Sequence, residues 1–78
     1  MANRKDTAVA DGSTRQRILD ASRELFNAKG YASTTLAEIA ASVGIAEGNL
    51  WYHFRTKREL VAALEEQVRE AVRERRDA

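Results

Sequence analysis

The stretch that decides the fold is Thr34–Phe54, TTLAEIAASVGIAEGNLWYHF. Thr35-Leu36-Ala37-Glu38 has the spacing of a capping box, in which a hydroxyl and a carboxylate three residues apart satisfy each other's free backbone N–H groups. The apolar stripe Leu36, Ile39, Ala40 and Val43 then predicts a short helix that ends at Gly44. Only Ile45 and Ala46 intervene before Glu47, whose carboxylate suits the positive end of a further helix carrying Leu50 and Phe54 inward. Two short helices joined through a Gly-containing turn match a helix-turn-helix. Each special residue has a reason: Ala40 permits a close crossing, Ile45 plugs the angle, Gly44 tolerates positive φ, and Leu50 anchors the second of the two helices. An ordinary helical hairpin is the plainer alternative.

Turning that second helix by about 100° per residue sorts its side chains. Leu50, Phe54 and Glu47 share one side, Gly48, Asn49, Tyr52 and His53 share the other, and Trp51 sits on the boundary. Three of the chain's five aromatics, Trp51, Tyr52 and Phe54, are thus divided between holding the helix and facing away from it. An outward Asn, Tyr and His, followed by Arg55, Lys57 and Arg58, suit a helix lying in a DNA major groove with phosphates at its edges. Asn49 would pair with an adenine edge, and the bare Gly48 leaves room for a thymine methyl or for close backbone approach. For Tyr52 the plainer reading is a surface aromatic packed on its own helix.

Working outward, Ser13-Thr14-Arg15-Gln16 repeats the capping-box spacing and predicts a first helix over about 14–29. Ile18, Leu19, Ser22, Leu25 and Phe26 form its buried stripe, and Lys29-Gly30 supplies a basic last turn and a stop. Residues 1–12 are polar and unpatterned and are expected to form a flexible basic arm, with Arg4, Lys5, Arg15 and Arg17 adding electrostatic affinity for nucleic acid. Thr56-Lys57-Arg58-Glu59 is a third capping box. It opens a fourth helix over 57–78 whose apolar face is Leu60, Val61, Leu64, Val68, Ala71 and Val72. At roughly 30 Å that helix outruns a three-helix core, so Val68, Ala71 and Val72 lack a partner, as expected of the front of a longer protein. No strand pattern occurs and Pro is absent. The expected architecture is all-α: a three-helix bundle with a helix-turn-helix over 13–56, homeodomain-like, plus the long fourth helix.

Composition narrows the chemistry. There is no cysteine and one histidine, and no inward carboxylate pair, so neither a metal cluster nor a nucleophile with its base is expected, nor a cofactor. An enzyme is the poorest hypothesis. The net charge of +1 does not by itself argue for nucleic acid, which places the weight on where the basic residues fall. No run approaches the roughly 18 apolar residues of a membrane span, and Met1–Asp11 lacks a signal-peptide core, so the expectation is a cytoplasmic protein without membrane contact.

The residues from Arg17 to Leu64, including ILDASRELFNAKGYASTTLAEIAASVGIAEGNLWYHFRTKREL, resemble the N-terminal domain of the tetracycline-repressor-like (TetR) transcriptional regulators. Phe26, Gly30, Thr34-Thr35, Ile39-Ala40, Gly44, Leu50, His53-Phe54, Lys57 and Leu60 stand at that family's characteristic positions. The resemblance implies a DNA-binding domain whose third helix reads the major groove of a palindromic operator in double-stranded DNA. It also implies a larger helical domain, absent from this chain, that binds a small-molecule ligand and forms a homodimer, with repression the commoner mode. Residue by residue, Thr35, Trp51 and Lys57 match positions that touch phosphates, joined by Arg55 from the basic run. Ala37, Gly48, Asn49, Tyr52 and His53 match positions that face bases or the groove wall. Two residues depart from the pattern. Trp51 replaces the usual Tyr, exchanging a phenol O–H for an indole N–H, and Ala46 replaces a capping Ser or Thr at a cost of about 1 kcal/mol. The rival from another class is a helical protein-interaction module that docks a partner through Trp51, Tyr52 and the free stripe of the fourth helix.

Overall fold

The computed structural model describes residues 10–77, and side chains within 14–75. Four helices follow one another: α1 (Ala10–Lys29), α2 (Leu36–Val43), α3 (Glu47–His53) and α4 (Lys57–Asp77). Helix α1 packs on both α2 and α4, and α2 packs on α3. The core is Ile18 and Leu19 from α1, Ile39, Ala40 and Val43 from α2, Leu50 and Phe54 from α3 and its cap, and Leu60 from α4. Leu25, Phe26, Leu36, Ile45, Ala63 and Leu64 close around it, half-buried.

Helix α1 starts at Ala10, earlier than the expected 14. Ser13 therefore lies within the helix instead of capping it. Gln16, assigned to fold back onto that cap, instead donates to Asp20 at 2.9 Å and accepts from Gln67 of α4 at 2.7 Å. A long-range bond to α4 and an i,i+4 bond have taken the side chain that the local motif needed. The expected arm over 1–12 falls outside the described residues up to residue 9, and its last three residues are helical.

Of the other two capping boxes, the one at Thr35 forms in full and the one at Thr56 in half. Thr35 Oγ1 accepts from Glu38 N–H and Glu38 Oε1 accepts from Thr35 N–H, both at 3.1 Å. At α4 the Thr56 hydroxyl accepts from Glu59 N–H at 3.1 Å, while the Glu59 carboxylate reaches one residue further and accepts from Arg55 N–H at 2.7 Å.

The turn between α2 and α3 is built from backbone. Gly44 adopts φ +87°, and its N–H donates to the carbonyls of Ala40 and Ala41 while Ile45 N–H donates to Ala40 at 3.0 Å. This is the paired pattern of a Schellman motif, which satisfies carbonyls that the last turn of a helix leaves without partners. The Val43 carbonyl is satisfied from α1, by Arg17 at 2.6 Å. The loop from α1 to α2 is likewise pinned: Gly30 takes φ +92°, and the buried Thr34 hydroxyl donates to the Gly30 carbonyl at 2.8 Å.

Past Leu64, α4 runs ahead of its support. Val68 is 62% exposed and Val72 46%. A groove of about 440 Å³ opens between α1 and α4, walled by Phe26, Val61, Leu64, Val68 and Ala71.

Candidate nucleic-acid interface

Helix α3 has seven residues, and Leu50 is the one fully buried among them. Phe54, just past the helix, is 3% exposed and carries the Arg15 guanidinium over its ring at 5.1 Å. These two anchors leave the opposite side bare. Gly48, Asn49, Trp51 and Tyr52 are all exposed, Tyr52 at 83%. An aromatic so uncovered is not part of the core.

Gly48 sharpens the point. A Cβ placed there meets nothing within 4 Å, and the residue does not need positive φ. Glycine inside a helix costs about 0.5–1 kcal/mol relative to alanine. Folding alone would therefore favour alanine, and the gap accommodates nothing among the described residues.

His53 departs from expectation by degree: it is half-buried, with its ring edge-on to Tyr52 at 5.3 Å and tilted against Phe54 at 6.5 Å. It braces the tyrosine at the margin of the face. Glu47, placed on the Leu50 side by the helical wheel, is exposed because it occupies the first turn, ahead of the core. Ala46 caps nothing with its side chain; only its carbonyl takes part, accepting from Asn49 and Leu50 N–H groups. The missing cap read from the sequence is thus present as a structural fact.

Around α3 lie the residues assigned to phosphates. Thr35 is exposed at the start of α2, with its hydroxyl oxygen engaged by the Glu38 N–H, and Ala37 is exposed two residues on. Trp51 is 49% exposed, at the boundary as expected. Arg55 and Arg58 are exposed. Lys57 is half-buried: its ammonium donates to the Tyr31 carbonyl at 2.7 Å and stands over the Tyr31 ring at 4.5 Å. The sequence did not reveal this arrangement, since 26 residues separate the partners.

Arg15 and Arg17, grouped with the arm on charge alone, have structural work. One stacks on Phe54 and the other bonds Val43. Lys29 is paired with Glu38, and this ammonium, together with the Thr35 N–H, holds the Glu38 carboxyl below its ordinary range. Among the described residues no group of three or more His, Cys, Asp or Glu is placed to hold a metal ion, and no helix is long and apolar enough to cross a membrane.

Residues 18–64 match the family of bacterial regulatory proteins named tetR. The chain belongs to the TetR family. It is 43% identical over 60 residues to the HTH-type transcriptional regulator SrpR of Pseudomonas putida, covering 77% of this chain and 28% of that protein. Over 51 residues it is 42% identical to the regulator AcrR of Shigella flexneri, covering 65% of this chain and 24% of AcrR. A solved structure of the TetR family protein CprB from S. coelicolor A3(2) superposes with a TM-score of 0.70 at 44% identity, over 83% of this chain and 34% of that one. The chain thus spans about a quarter to a third of the length of these relatives, and what they share with it is the helix-turn-helix DNA-binding domain of a TetR-type regulator. The α2–turn–α3 geometry belongs to that shared part.

Proposed function

We propose that α3 is the operator-reading element of this TetR-family domain, entering the major groove of double-stranded DNA with Gly48, Asn49, Tyr52 and His53 toward the bases. One observation carries the reading: α3 leaves Gly48, Asn49 and Tyr52 exposed, with His53 at the margin, while Leu50 and Phe54 fix it from behind. Amide and phenol groups on such a face have the donors and acceptors that base edges require, with Asn suited to adenine. Ala37 on α2 adds a small surface against the groove wall. Thr35, Trp51, Arg55 and Lys57 hold the phosphates on either side, which supplies register and most of the affinity.

In a protein of the relatives' length the reading extends to a cytoplasmic homodimer that presents two such helices to a palindrome, takes a small-molecule ligand through a further domain, and acts as a repressor. Linking two reading heads raises apparent affinity by about 10²–10⁴ over one. The 78-residue chain alone is accordingly expected to bind a half-site weakly.

The test is selection of duplexes from a random library by the purified chain at low salt. An enriched short half-site supports the reading. Binding without any enriched sequence, or no binding, overturns it and favours a protein-docking role for Trp51 and Tyr52.

A further inference from the structure

Lys57 is engaged before any phosphate arrives. Its ammonium donates to the Tyr31 carbonyl at 2.7 Å and lies 4.5 Å from the centre of the Tyr31 ring, while that same carbonyl also accepts from the Thr34 N–H at 3.3 Å. The ring is itself fixed, tilted at 58° against Phe26 with centroids 5.3 Å apart. Phe26 belongs to α1 and packs against the core, so a chain of contacts runs from the core through two rings to one ammonium.

We infer that Tyr31 is a positioning residue for the phosphate contact of Lys57: the carbonyl and the ring hold the ammonium in its binding place in the free protein. The inference rests on the DNA-binding reading above. A lysine carries a flexible four-carbon stem, and a phosphate that captures it from free rotation must confine several rotamers at once. Here folding has already confined them. An ammonium has three N–H donors, of which the carbonyl takes one, and a ring face attracts the charge without removing it. Donors therefore remain for a phosphate oxygen, and the net positive charge still releases counterions when DNA binds. Tyr31 is 45% exposed, so the site it forms with Lys57 is open to a ligand.

This mechanism separates position from charge, and the two respond differently to salt. Removing the ring leaves the charge in place, so affinity should fall while the salt dependence stays as it was. The measurement is titration by fluorescence anisotropy, over a series of salt concentrations, against both a duplex selected from a random library and a random-sequence duplex. Thermal unfolding of each variant establishes that it is folded. Tyr31→Leu is expected to weaken both duplexes alike, by about 2- to 5-fold, with an unchanged slope of log affinity against log salt. Tyr31→Phe, which keeps the ring, should bind as the parent does. Lys57→Ala should lower the slope by about one unit, and adding Tyr31→Leu to it should cause no further loss. Parental or tighter binding by Tyr31→Leu, equal weakness of Tyr31→Phe, or a full additional loss in the Lys57→Ala background would each overturn the inference and leave the DNA reading standing. A parent chain that binds neither duplex would overturn both.

Discussion

The Arg17 guanidinium donates a 2.6 Å hydrogen bond to the backbone carbonyl of Val43, 26 residues away in the chain. It completes the C-terminal end of α2 from outside, placing a positive charge where the helix dipole is negative. Hydrogen bonds to charged groups contribute about 1.5–3 kcal/mol, and this one is only partly buried. Arg17→Ala should therefore destabilise the domain by about 1–2 kcal/mol. For a domain of this size that lowers the thermal midpoint by roughly 4–8 °C for each kcal/mol, readable by circular dichroism. An unchanged midpoint would show that the contact is idle.

Ala46→Ser should do the opposite. The backbone at Ala46 is already extended, at φ −72° and ψ 151°, as an N-cap requires, and only the side-chain acceptor is missing. Supplying it should add about 0.5–1 kcal/mol of stability in urea unfolding. No gain would mean that the first turn of α3 is satisfied in another way.

At Gly48 stability and function should part. With open space around the missing Cβ, Gly48→Ala should stabilise the fold by about 0.5 kcal/mol. The same methyl would intrude on a close-approaching groove and weaken binding to the selected duplex. Paired unfolding and anisotropy titrations check this; a variant both more stable and equally tight would show that nothing approaches Gly48 closely.

Glu38 ties acid stability to the start of α2. Lys29 and the Thr35 N–H lower its pKa in the folded protein, so folding favours the charged form. The stabilisation is full above the ordinary glutamate pKa and is lost as pH falls through the depressed folded value. Unfolding midpoints measured from pH 7 downward should decline through the acid range, and Glu38→Gln should flatten that part of the decline while lowering stability at pH 7. A decline of the same steepness in both proteins would assign it to other carboxylates.

Reading and holding should fail differently. Asn49→Ala and Tyr52→Ala remove groups from the exposed face of α3 and should cost about 1–3 kcal/mol on the selected duplex and little on random DNA. Lys57→Ala should weaken both equally. If Lys57→Ala changed sequence preference while the other two did not, the docking of α3 would be wrong.

How much of this was legible in the sequence depends on distance along the chain. The helices, the Gly44 turn, the two anchors of α3 and the uncapped Ala46 were readable, because capping, helical periodicity and positive φ act over three to five residues. The start of α1 was misplaced, since Gln16 is claimed by Gln67, a residue that local pattern cannot see. For the same reason charge alone groups Arg15 and Arg17 with a basic arm, and no local pattern marks the Tyr31–Lys57 pair. A single Lys or Arg carries no mark of which carbonyl or ring it will meet. The outward face of α3 was found because a helix converts spacing into direction. The half-burial of His53 depends on neighbouring rings, which spacing does not give.

The two-point attachment of α3 has a consequence for how such a domain changes over generations. Leu50 and Phe54 carry its share of folding, and the turn that aims it is written in backbone bonds around Gly44. Substitutions at Asn49, Trp51 and Tyr52 therefore carry little folding penalty, and most surface changes of this kind stay within about 0.5 kcal/mol. With α3 in the reading role proposed for it, selection would be free to rewrite what the helix recognises without renegotiating whether the protein folds, and one scaffold would support a wide vocabulary of target sequences.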